Sequence, residues 1–342
     1  MDLLPSEEQL ELIGAATDFL DARPPVGVLR ARRGEPCAVD PAQWAEGAGV
    51  GLLTLGLDER YGGLGRPLDD EALLFHALGK RLAPGPYLAC VLATRLAARR
   101  GDSALAAEIG EGRALVGLAE ARGEAAVGPE GVKGTFDLVD ASGAEHLLVL
   151  SDEGAALIAT PEAGRIETVE ALDPGMRLAS TTLDHSPVLH WLPAGDDPLR
   201  GRALALNSAL LAGVAEATAE LATEHAKNRV QFGRPIGVNQ AVKHACADMA
   251  VRAEAAVSQT LFAAVALASG RADALFQLLS AKTVAGRAAI DNAAACIQLH
   301  GGMGFTDEHD AHLYLKRAHA LHHLFIEPAD VLARLLSEGA AQ

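Results

Sequence analysis

Cysteine is scarce and scattered in this chain. Cys37, Cys90, Cys246 and Cys296 form no C-x-x-C pair and have no histidine at zinc-finger spacing, so neither a disulfide framework nor a structural zinc is expected, and reduced, buried thiols are. Basic residues are in deficit: 29 Lys and Arg against 45 Asp and Glu give a net charge of −16, which argues against a nucleic-acid partner. No window reaches about 18 consecutive apolar residues, and the opening Met1–Leu20 lacks a basic stretch before an apolar core. Neither a membrane span nor a signal peptide is therefore expected, and the cytoplasm is the expected location. There is also no G-x-G-x-x-G after a predicted strand, no P-loop and no G-x-S-x-G elbow, so nicotinamide, P-loop and serine-hydrolase chemistry have no motif behind them.

The 342 residues, 49% hydrophobic and 22% charged, are enough for two or three globular domains at roughly 150 residues each. Three textures follow one another. Residues 1–112 read as a helical domain. Pro5-Ser6-Glu7-Glu8 opens an apolar run of helical period, a second helix covers Pro41–Val50 and a third Asp69–Arg81, with the loop Leu57–Pro67 between them. Residues 113–197 read as a small β-barrel or sandwich, because Ala114–Leu118, Gly131–Gly134, His146–Leu150, Ala155–Ile158 and Thr181–Asp184 are short apolar runs split by turn residues, the pattern of antiparallel strands. Residues 198–342 are Ala-rich and predict a four-helix bundle, with helices over 201–228, 236–268, 272–299 and 307–337. The expected class is thus mostly α with a middle β-domain.

Two constellations could carry chemistry. Arg229-Val230-Gln231-Phe232-Gly233-Arg234-Pro235 ends one predicted helix and, through Gln240, leads into the next. A guanidinium beside helix amides favours an anion, and Phe232 offers a face to a flat ligand; a plain helix corner is the competing reading. Gln298-Leu299-His300-Gly301-Gly302-Met303-Gly304-Phe305 places three glycines after a long helix, suiting either close backbone approach to a ligand or a helix C-cap. His309, Asp310 and His312 have spacings a metal could use, but they share no clean face with a third His, so no metal site is expected and a solvated helix face is.

Taken in order, these segments resemble the acyl-CoA dehydrogenase family. The resemblance rests on Tyr61-Gly62-Gly63-Leu64-Gly65, Arg229-x-Gln231-Phe232-Gly233-x-Pro235-Ile236 with Gln240, Gln298-x-x-Gly301-Gly302-x-Gly304-Phe305, and Leu313-Tyr314-Leu315-Lys316-Arg317, spread over nearly the whole chain. It implies a dimer of dimers with FAD at subunit interfaces. Arg229 would reach the FAD pyrophosphate, Phe232 the adenosine half, and Gln240, Gln298, Gly301 and Gly302 the ADP portion. It also implies α,β-dehydrogenation of an acyl-CoA thioester, in which a glutamate takes the α-proton while hydride passes to the flavin.

The chain departs from the family pattern at two places. The usual glutamate position falls near Phe325-Ile326, leaving Glu327 offset by two, and the alternative position corresponds to Ala203, with no acid between Gly201 and Val214. The middle domain is about 30 residues shorter than the family's usual size, and where the flavin-ring segment belongs it reads Leu118-Ala119-Glu120-Ala121-Arg122-Gly123-Glu124-Ala125. This pattern resembles the shorter subunit of actinobacterial α2β2 heterotetrameric dehydrogenases of steroid side chains, in which a partner chain supplies the catalytic Glu. No catalytic residue is then expected in this chain. The alternatives are a homotetrameric enzyme with Glu327 as base, or a flavin-free scaffold of the same fold.

Overall fold

The computed structural model describes residues 4–338. Its elements run as helices, then strands, then helices. The first helices are α1 (Glu7–Ala22), α2 (Pro25–Ala31), α3 (Pro41–Gly49), α4 (Leu68–Lys80), α5 (Tyr87–Arg99) and α6 (Ser103–Gly110). The strands are β1 (Val116–Ala121), β2 (Ala126–Gly128), β3 (Gly131–Val139), β4 (His146–Leu150), β5 (Gly154–Ala159), β6 (Ile166–Val169), β7 (Leu178–Ser186) and β8 (Val188–Pro193). There follow α7 (Leu199–Asn228), a hairpin of β9 (Val230–Gln231) and β10 (Arg234–Pro235), α8 (Gln240–Ala268), α9 (Ala274–His300), α10 (Ala311–His323) and α11 (Pro328–Glu338). By contacts the chain divides into two compact units, one of residues 7–71 and 83–203, the other of residues 72–82 and 204–338 together with the start of the chain.

In the unit that holds the strands, β1–β8 form one sheet in the order β6-β7-β3-β1-β4-β5-β8, with β2 on β3. The expectation of purely antiparallel pairing fails at its centre, where β1 and β4 are parallel, Leu118 opposite Leu148. The cause is the route: β3 returns along one edge of β1, and the 140–145 connection passes the end of β1 to its other edge, so β4 must run with β1. Both faces of β4 and β5 are covered. Leu147, Val149, Ala156 and Ile158 join Phe136 and Leu138 in one core, while α5 packs on β1, β4 and β5, which is why these strands read as unbroken apolar runs rather than alternating ones. Asp40 and Asp102 cap α3 and α6 by accepting from Gln43 N and Leu105 N, each at 3.0 Å. Buried Glu71 pairs with Arg202, and Arg95 Nε donates to buried Asp197 at 2.8 Å. The Leu57–Pro67 loop closes on itself, Gly65 N donating to Leu57 O at 2.7 Å and Arg66 N to Leu55 O at 3.1 Å.

In the other unit, α7, α8 and α9 are tied by buried Asn292, whose Nδ2 donates to Ala215 O and Met249 O at 2.9 Å and whose Oδ1 accepts from Arg252 Nε at 2.8 Å. The bundle departs from expectation in two helices. The helix expected from 236 starts at Gln240, because Ile236–Val238 form a 3-10 turn. The helix expected over 307–337 is two helices: Phe325 takes φ 70, and Pro328, which disfavours helical backbone at the residue before it, starts α11. The end of α10 is capped from two sides, Lys282 Nζ (2.7 Å) and Asn207 Nδ2 (3.1 Å) both donating to Leu321 O. The His309–His319 stretch is not the solvated face expected for it, since His312, Leu313, Arg317 and Ala318 are buried. All four cysteines are free; Cys90 and Cys296 are buried, whereas Cys37 and Cys246 are only half-buried.

Two helices, α7 and α8, are long and apolar enough to cross a membrane by length and composition, a property spread over many small residues rather than over one unbroken apolar run. α7 is the core helix of the bundle, with 78% of its most apolar window buried, against 39% for α8.

Candidate functional site

The link between α7 and α8 is a hairpin rather than a simple corner. Arg229 N donates to His225 O and Ile236 N to Arg229 O, both at 2.8 Å, and the two short strands pair Gln231 with Arg234. Phe232 and Gly233 form the two-residue turn, at φ 52 and φ 76, the signs that a type I′ turn requires at both central positions. Asn-Gly fits such a turn without strain, and Phe does not. Phe232 is moreover 101% exposed. A strained, fully solvated aromatic gains nothing for the single chain and leaves its ring free for contact outside it. Gln240 opens α8 immediately after the 236–238 turn, and Asn239 before it gives that helix no side-chain cap.

The glycine segment follows α9. Gly301 takes φ 61 and its N–H bonds to Gln298 O, ending the helix, after which Gly301–Phe305 form a 3-10 turn. Gly304 is required by space, since a Cβ there would lie 2.7 Å from Ile297 O. Gly302 is required by neither, having no positive φ and nothing within 4 Å of a Cβ. Gln298, Gly301, Gly302, Met303 and Phe305 are exposed.

Three imidazoles join the two segments. The His225 ring lies 4.1 Å from that of His300, and His300 lies 4.3 Å from His309. This stack sits above a core of Ala219, Ala222, Met249, Cys296 and Ala311 drawn from α7, α8, α9 and α10. Arg229, Phe232, Gly301 and Gly302 are thereby brought to one end of the bundle, with Gln298 one turn back on α9. His300 is buried and its Nδ1 lies 2.8 Å from Cys296 O; a carbonyl only accepts, so Nδ1 carries the proton. His309 Nδ1 accepts from Ala311 N at 3.1 Å, so its proton is on Nε2. Burial first, then the neighbours His300, Arg229 and His309, hold His225 below its ordinary value. Burial pushes the Cys296 thiol up to about 12, keeping it a thiol. Among the described residues no group of three or more His, Cys, Asp and Glu could hold a metal ion.

No acid is set up as a base at either family position. Glu327 follows buried Phe325 and Ile326 but is itself solvated, its side chain 63% exposed and 2.8 Å from His323 Nδ1. Ala203 is a buried alanine. Leu118–Ala121 belong to β1, and Arg122–Ala125 lead into β2, with Arg122 paired to Asp137 across the sheet, so this segment is strand and turn. His225 was not singled out from the sequence, and His309 was considered only as a metal ligand, because the stack draws one ring from each of three distant segments. The one available signal was the placement of His225 a single helical turn before Arg229.

A helical opening, one sheet and a long-helix bundle whose exposed end gathers a cation, an aromatic and a glycine turn are the parts of a flavoprotein-type dehydrogenase fold. The chain belongs to the acyl-CoA dehydrogenase family: residues 202–324 match the acyl-CoA dehydrogenase C-terminal domain. It is 35% identical over 293 residues to the acyl-CoA dehydrogenase IpdE2 of Mycobacterium tuberculosis, spanning 84% of this chain and 83% of that protein. A variant of the Tcur3481-Tcur3483 steroid ACAD superposes with TM-score 0.85 and 26% identity over 97% of each chain. The ChsE4-ChsE5 complex of M. tuberculosis has the same fold, with TM-score 0.87 at 24% identity over 100% of both chains.

Proposed function

We propose that this chain is one subunit of a FAD-dependent acyl-CoA dehydrogenase that desaturates bulky, steroid-side-chain-type acyl-CoA thioesters. It would contribute the ADP-side contacts to FAD while a second dehydrogenase chain supplies the catalytic Glu in an α2β2 heterotetramer. The reading takes residues 1–112, 113–197 and 198–342 as three domains of a cytoplasmic protein with no nucleic-acid, membrane or metal partner. The observation that carries it is a contrast within the chain: the anion-and-aromatic end is built and strained outward, whereas Glu327 is solvated and Ala203 is an alanine. The residues at that end suit FAD in kind, since a guanidinium answers a diphosphate, an open glycine turn admits close backbone approach, and a solvated ring can stack on a flat base.

Arg229 would hold the pyrophosphate, Phe232 would pack on the adenosine half, and Gln240, Gln298, Gly301 and Gly302 would line the ADP portion. FAD when bound supplies the hydride acceptor. Proton abstraction at the acyl α-carbon needs a carboxylate shielded from water, which neither family position in this chain provides. The naming of similar structures as a steroid ACAD and as a two-protein complex supports the substrate class and the second subunit.

Assembly has support of its own in α8. It is as apolar as α7, with mean hydropathy 1.3 against 1.2, yet half as buried, and Val251 is 69% exposed on it; an apolar face of that extent marks an association surface. The test is flavin content and native mass of the chain expressed alone and with a candidate partner. A colourless chain that becomes a yellow tetramer holding two FAD only with its partner supports the proposal. A yellow homotetramer with one FAD per chain overturns it.

A further inference from the structure

The stacked imidazoles do more than join two helix ends. His225, in the last turn of α7, lies 4.1 Å from His300, and His300 lies 4.3 Å from His309; Arg229 directly follows α7, its N–H donating to His225 O at 2.8 Å. The charged or titratable groups that act on His225 are His300, Arg229 and His309. Arg229 follows α7, and Glu224 of α7 accepts from Asn228 at the exposed surface. α9 contributes Cys296, held as a thiol, and α8 contributes Cys246 near it. Before α10, Asp307 lies 4.0 Å from His312 and Asp310 acts on Tyr314; neither carboxylate is among the charges that act on His225. Burial and the neighbours His300, Arg229 and His309 disfavour the charged form of His225 in the absence of a bound anion.

We infer that this stack is the proton-taking part of the anion site, so that a diphosphate binding beside Arg229 draws one proton onto His225 or His300. The hydrogen bonds decide which rings can take it. Protonating His309 at Nδ1 would break its bond from Ala311 N, which disfavours uptake there. His300 already carries its proton on Nδ1, toward Cys296 O, and gains a second donor at Nε2 without losing a bond. His225 makes no hydrogen bond through its ring among the described residues, so protonation there also breaks nothing. A doubly negative group beside Arg229 reverses the local field, and the cation that was disfavoured becomes favoured. Stacking restricts uptake to one proton, because a second cation would sit about 4 Å from the first.

The sign follows from linkage. The stack's affinity for a proton is raised in the bound state, so binding takes up protons and tightens as pH falls, by at most about tenfold per pH unit for one proton, until the free stack is itself protonated. This rests on reading that end as the ADP side of a FAD site, and the experiment separates the two. FAD and ADP-ribose are suitable probes, since a diphosphate diester has no group of its own that titrates near neutrality. Each is titrated calorimetrically into the full chain assembled with its partner, from pH 5.5 to 8.5, in buffers of different ionisation heat.

Uptake approaching one proton per site near neutral pH, with affinity rising toward acid, is the expected result. A His225→Gln, His300→Gln double variant that still binds but takes up no proton supports the assignment. Binding that is independent of pH and buffer overturns it and leaves the FAD reading standing. Failure of both probes to bind at any pH overturns the FAD reading and this inference together. Should the variant not fold, the histidine C2–H resonances of the unaltered assembly decide: saturating ADP-ribose must move the titration of one stack imidazole to higher pH, and unmoved titrations sink the inference.

Discussion

At the residue scale, Phe232 is where the chain's own stability and the proposed FAD contact diverge. A non-glycine residue at φ 52 in a two-residue turn costs about 1–2 kcal/mol in backbone sterics, offset in Phe232→Gly by about 0.5–1 kcal/mol of extra unfolded-state entropy. Phe232→Gly is therefore expected to leave the melting point of the isolated chain equal or slightly raised, and to lower FAD retention in the assembled enzyme. A variant that melts lower and keeps FAD would show that the ring serves this chain's own packing. Glu327 makes the opposite case. With its side chain 63% exposed beside His323, Glu327→Gln is expected to leave turnover of the assembled enzyme unchanged, and a collapse in kcat would restore it as the base. Arg229, Phe232 and the glycine turn were legible as candidates because guanidinium, ring and glycine each have a local chemistry. Their convergence was not, since it depends on ring contacts among His225, His300 and His309 that no spacing encodes.

At the element scale, the long helices and the central strands were legible because burial on every side leaves continuous apolar runs, as in His146–Leu150 and Gly154–Ala159. What escaped were the features set by position in three dimensions. The parallel pairing of β1 with β4 follows from the path of the chain around β1. The split of α10 from α11 was signalled by Pro328, yet the apolar run through Leu324-Phe325-Ile326 hid it, because buried turn residues look like buried helix residues.

The contact of α4 with α7 yields a pH prediction. Glu216 lies 2.7 Å from His76 Nε2 and accepts from Lys80 Nζ at 2.8 Å, and the close contact with His76, followed by that with Lys80, holds its carboxyl down to about 2 from an ordinary value of 4.5. A depressed carboxyl stabilises the fold fully above pH 4.5, and that contribution is lost as pH falls toward 2. The melting point of the chain should drop across that window, and Glu216→Gln should flatten the drop while lowering stability at neutral pH. Equal acid slopes in the two proteins would remove this contact from the account.

At the scale of the whole molecule, the question is why a chain with an ample core leaves one long helix half-bare. α8 matches α7 in apolar character and has half its burial, and the exposed residues include Val251 at 69% and Val238 at 44%, with Phe232, Met303 and Phe305 at the end where α7, α8 and α9 meet their turns. A net charge of −16 keeps such a chain apart from like copies by long-range repulsion, and this weighs toward a partner whose own charge differs from that of a second identical chain. Val251→Glu tests whether α8 is that partner's seat. The substitution adds a carboxylate to a solvated position, so the isolated chain should keep its helical signal and melting point to within about 0.5 kcal/mol. Buried in an interface, the same carboxylate would lack a counter-charge, at a cost of several kcal/mol. The expected result is a folded chain that no longer co-elutes with its partner and retains no FAD. An assembly that forms at unchanged mass would place the partner elsewhere, and leave the bare face of α8 without a role in the dehydrogenase.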